Sequence, residues 1–150
     1  MLTTIGSIPG VKVLITPSAA LHDGPHELIG LTTLRRSRDG FTAWTVILVD
    51  RTQPRLTVEA IGHELGHVAE AACLGRFESI SELRTALRQR ADRFTSRTGN
   101  DFFETPFPYA VGKAVVNEWL GNRPQARSFD DLVVRFGLTQ CRTSAELAHR

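Results

Sequence analysis

His63-Glu64-Leu65-Gly66-His67 places two imidazoles four residues apart, with a carboxylate next to the first. On a helix such a pair lies on one face about one turn apart, so both rings can bind one tetrahedral metal ion. Glu64 is then rotated toward the open side of the site, where it can take a proton from activated water without being a ligand. Both histidines fall on the apolar face of their segment. Two histidines around an inward glutamate are costly to bury without a cation.

A third protein ligand is expected, and no histidine follows His67 until His149, so a carboxylate is the natural choice. Glu118 is preferred. Val111, Ala114 and Val115 lie seven, four and three residues before it, and an acid on that stripe is costly unless paired or metal-bound. An arginine partner would satisfy Glu118 without metal. Glu104 and Asp101, in the preceding loop, are alternatives, while Glu70 is placed to reach a residue behind the ligands instead of the ion. His22 and His26, in His22-Asp23-Gly24-Pro25-His26, read as a surface turn before they read as rival ligands.

The elements that must position these residues can be read in outline. Val11–Ile15, Leu28–Leu34 and Thr42–Val49 are strand-like runs, and Asp39-Gly40 between the last two predicts a hairpin. From Pro54 the period becomes helical: Leu56, Ala60, His63, His67, Ala71 and Leu74 share a face, and Gly75 suits the helix end. Ser79-Ile80-Ser81-Glu82 opens a second helix as a capping box. Its apolar face is Ile80, Leu83, Leu87, Ala91 and Phe94, leaving Arg84, Arg88, Arg90 and Arg93 to solvent. A loop from Ser96 to Pro108 leads to a third helix, Pro108–Leu120, stopped by Gly121. Ser128 caps a fourth, and Thr143 opens a fifth. Strands followed by helices give an α+β class: a small antiparallel-rich sheet, an active-site helix and a C-terminal helical part.

His63–His67, with sheet before and helices after, resembles the zincin metallopeptidases. The resemblance covers about Thr42 to Asn122, and only the five-residue motif is specific. The longer metzincin pattern needs Gly and His where this chain has Glu70 and Cys73. Asn117-Glu118, followed four residues on by Asn122, is similar to the downstream motif of glutamate-ligand zincins, which carry an acid where Asn122 stands. The gap from His67 is also longer than in their best-known members. The resemblance implies a Zn2+ ion on His63, His67 and Glu118, Glu64 as general base, and peptide-bond hydrolysis. It assigns oxyanion stabilisation to Tyr109, the sole tyrosine, and substrate pairing to the strand Thr42–Val49. Short zincin domains also occur as toxin or secreted-effector proteases, which would imply a cognate immunity or inhibitor protein. The alternative is a non-catalytic protein-binding domain on the same scaffold.

Composition bounds the rest. With 150 residues, 41% hydrophobic and 23% charged, the chain reads as one domain, 1–150, able to bury a core unaided. A net charge of +2 gives no argument for a nucleic-acid partner, and no apolar run is long enough for a membrane span. Met1–Ser7 lacks the features of a secretory leader, so a cytoplasmic location or a specialised secretion route is expected. Cys73 and Cys141 are expected as free thiols, with one disulfide as the alternative, and Trp44 and Trp119 as packing residues.

Overall fold

A computed structural model describes residues 11–16, 21–23, 26–37, 40–48, 52–74, 77–91, 104–122 and 129–138. Five strands come first: β1 (Val11–Thr16), β2 (Leu21–Asp23), β3 (His26–Leu28), β4 (Gly30–Ser37) and β5 (Gly40–Leu48). Four helices follow: α1 (Pro54–Cys73), α2 (Ile80–Ala91), α3 (Pro106–Trp119) and α4 (Phe129–Arg135). The fold is mixed α and β in the expected order. The expected helix from Thr143 and the candidate ligand Asp101 lie outside the described residues.

β4 and β5 form the hairpin expected at Asp39-Gly40, with Ser37 opposite Gly40. β5 also pairs parallel with β1, from Val11 opposite Ala43 to Thr16 opposite Leu48. The sheet order is therefore β1-β5-β4. This corrects the expectation that Thr42–Val49 is the strand an extended substrate pairs with: both sides of β5 are occupied, and among the described residues β4 is an outer strand. β2 and β3 pair antiparallel, so His22 and His26 sit on strands where a plain surface turn was expected.

α1 starts with a proline in its first turn, where the missing N–H costs no hydrogen bond. Its neighbour in space is α3, whose N-terminal proline is Pro106, two residues earlier than the sequence suggested. The two helices come into close backbone approach at two points. A Cβ on Gly62 would lie 2.9 Å from the Gly112 Cα, and one on Gly66 2.7 Å from the Pro108 Cα. Glycine inside a helix costs about 0.5–1 kcal/mol relative to alanine, and this close approach offsets that cost. Pairing Gly66 with Pro108 and Gly62 with Gly112 makes the helices antiparallel, so the start of α3 lies beside the histidine pair.

Leu65, Ala69, Phe107, Val111, Val115 and Leu132 form the centre of the core. Phe107 meets Phe136 edge to face, with ring centroids 5.8 Å apart. α2 is capped by Ser79, whose Oγ accepts from the Glu82 N–H at 3.2 Å. The Glu82 carboxylate, however, accepts from the Glu78 N–H rather than closing the capping box on Ser79. Leu83 and Leu87 are buried as expected.

Three expectations fail. Cys73 is fully buried and disulfide-bonded, not a free thiol; sequence distance carries no information about such pairing, and Cys141 lies outside the described residues. Trp119 is 52% exposed, because α3 has passed its crossing with α1 by that point. Arg90 is tied to a buried carboxylate instead of being merely solvated. Among the described residues no helix is long and apolar enough to cross a membrane.

Candidate metal centre

His63 and His67 face the same side of α1, and their rings meet edge to face with centroids 4.8 Å apart. Their Nε2 atoms are 3.1 Å apart. Glu104, two residues before α3, brings Oε1 to 3.4 Å from His63 Nε2 and 3.3 Å from His67 Nε2. These three side chains are the group among the described residues that could hold a metal ion.

The triangle has the right size for one. Zinc bonds of about 2.0–2.1 Å in tetrahedral geometry put neighbouring donor atoms about 3.3 Å apart. The other Glu104 oxygen, Oε2, is buried without a hydrogen-bond partner among the described residues. A buried carboxylate oxygen left unpaired costs free energy unless a cation or another donor meets it. Two ring nitrogens in line can share only one proton, so an ion is the simpler way to satisfy all three groups.

Electrostatics agree. Burial alone pushes His67 down, but the Glu104 hydrogen bond and the charges of Glu104, Glu64 and Glu70 outweigh it and hold the ring above its usual value. Burial pushes Glu104 up, but hydrogen bonds and charge from His63 and His67 outweigh it and hold the carboxyl well below the ordinary range. In the metal-free chain the pair therefore stabilises the fold at intermediate pH. That stabilisation is lost in acid as Glu104 is protonated, and in base as His67 gives up its proton. Metal needs neutral imidazole and must displace that proton. Zinc affinity is accordingly expected to weaken by about tenfold per pH unit for each proton displaced below the His67 pKa, and to level off above it. Chelator competition across about pH 5–8 checks this. A flat profile would mean that no proton is exchanged.

Glu118, the preferred third ligand, is not part of the group and lies exposed near the end of α3. The antiparallel crossing is the reason. Gly112 lies beside His63, its built Cβ 3.4 Å from the histidine Cβ. Six residues further along α3, at 1.5 Å per residue, Glu118 is displaced about 9 Å toward the start of α1. Tyr109 does approach the site: its ring meets that of His63 at 4.5 Å between centroids, at 72°.

Glu64 is buried and turned against β4 rather than toward open solvent. Thr32 Oγ1 donates to Glu64 Oε2 at 2.7 Å and is also 3.1 Å from the Glu64 carbonyl oxygen. Gly30 makes room: a Cβ there would lie 2.6 Å from Glu64 Cγ and Oε1. Sequence reasoning missed Thr32 and Gly30, whose alternation on β4 places both on the face toward α1.

Compared with known proteins, the chain matches no family model, no curated protein and no solved structure.

Proposed function

We propose that this chain is a zinc-dependent hydrolase of peptide bonds. The observation that carries the reading is the convergence of His63, His67 and Glu104 at the spacing of a tetrahedral donor set. Nitrogen and carboxylate donors suit zinc, which supplies a Lewis acid and brings the pKa of water toward neutrality. Peptide as the substrate rests on the resemblance to zincins, as does the toxin or effector setting with its inhibitory partner protein.

The chain's own residues have separable roles. His63, His67 and Glu104 hold the ion. Thr32 occupies Glu64 Oε2, and we assign proton transfer to Oε1: it takes the proton of the attacking water and returns it to the leaving amine nitrogen. Tyr109, beside His63, donates its phenol to the oxyanion. An extended substrate pairs with the outer edge of β4, the strand that also seats Glu64.

The zinc-loaded protein is expected to cut members of a mixed-sequence peptide library, with product appearance followed by mass spectrometry. Removing zinc with a chelator should stop cleavage, and restoring zinc should restart it. Zinc binding without any cleavage would favour the second reading, a protein-binding domain on this scaffold. The burial of Glu64 beneath β4 is the observation on that side.

A further inference from the structure

Glu70 is fully buried on α1, one helical turn beyond His67. A buried carboxylate is tolerated when both oxygens are met by donors, and here both are. Arg90 Nε donates to Oε1 at 2.8 Å, and the Thr105 hydroxyl donates to Oε2. Arg90 is itself fixed, its Nη2 donating to the Phe136 carbonyl at 2.9 Å. Glu70 thus joins α1, α2, the start of α3 and the end of α4.

Thr105 occupies the N-cap position of α3, where a threonine hydroxyl ordinarily accepts from the first free N–H groups. It makes no such capping bond. Its hydroxyl is turned to Glu70 instead, and Thr105 is fully buried there. The preceding residue is Glu104. Positions 63, 67 and 70 follow one stripe of α1, and the segment Glu104-Thr105 runs beside that stripe with one contact per residue: Glu104 to the histidines and Thr105 to Glu70.

We propose that Glu70, clamped by Arg90, is a positioning residue that sets the third metal ligand by holding Thr105. The inference rests on the metal-centre reading above. Glu70 does not touch the ion. It removes the freedom of the segment that delivers Glu104, so that the carboxylate meets the histidines without an ordering cost at binding.

Thr105→Val and Thr105→Ser separate the hydroxyl from the shape of the side chain. Valine keeps the volume and loses the donor, whereas serine keeps the donor. The probes are Zn2+ by chelator competition and the visible absorption of the Co2+-loaded protein, which reports ligand geometry. Thr105→Val is expected to lose about 10–100-fold in metal affinity and to alter the Co2+ spectrum, while Thr105→Ser retains both wild-type values. Arg90→Met, which frees Glu70 from its clamp, is expected to shift affinity in the same direction as Thr105→Val. Unchanged affinity and spectrum in Thr105→Val, with the wild type binding metal and Glu104→Ala failing to bind, would overturn the positioning role alone. Failure of the wild type to bind either ion would remove the metal centre and this role together. Thermal unfolding of the metal-free variants shows whether each has folded, so that lost affinity is read only from folded protein.

Discussion

Glu104→Ala is expected to strip the protein of zinc, and Glu118→Ala to leave its zinc content and affinity unchanged. The contrast follows from position. Glu104 completes the triangle with both Nε2 atoms, whereas Glu118 is exposed about 9 Å along the helix axis. Removing a direct ligand should exceed the roughly 10–100-fold loss typical of outer-shell partners. With only two imidazoles left, stoichiometric binding at micromolar protein should disappear. Metal content after dialysis, together with chelator competition, checks both variants. Zinc lost from Glu118→Ala and kept in Glu104→Ala would require α3 to pack in a different register.

Glu64→Gln is expected to abolish cleavage while preserving zinc and fold. The amide is nearly isosteric with the carboxylate, and its oxygen can still accept from Thr32. What it loses is the ability to take a proton. General-base contributions of about 10²–10⁴ in rate make this one of the largest effects in the molecule. The test is single-turnover cleavage of the best substrate from the peptide library, with zinc content and melting temperature measured in parallel. Wild-type cleavage in Glu64→Gln would end the mechanism.

How much of this was legible in the sequence depends on how local each feature is. The histidine pair, the helix that carries it, its opening proline and the β4–β5 hairpin are encoded within a few residues. So is the turn at Gly121, which takes φ +68°. The candidate third ligand is not local. Glu104 lies outside any periodic segment, and only the packing of α3 against α1 brings it to the histidines. One sign was present: Thr105-Pro106 reads as a helix entrance, which places Glu104 at the threshold rather than within a loop. Arg90 was misread as solvated although a sign was present: it stands seven and three residues after the buried Leu83 and Leu87 and so shares their face. Strand order was not legible. Nothing in Gly40–Leu48 indicates that β1 covers its second side.

The meeting of Gly62 and Gly66 with Gly112 and Pro108 has a consequence for ion choice. Main chain abuts main chain there, with Val111 and Val115 packed alongside. Two of the candidate donors, on His63 and His67, stand on α1 and the third, on Glu104, just before α3, so the seam fixes the two elements that carry them. The 3.1–3.4 Å separations of the donor atoms suit an ion with bonds near 2.0 Å. Calcium, whose bonds run about 2.3–2.6 Å and which seeks six to eight oxygens, would meet two nitrogens among the three candidate donors.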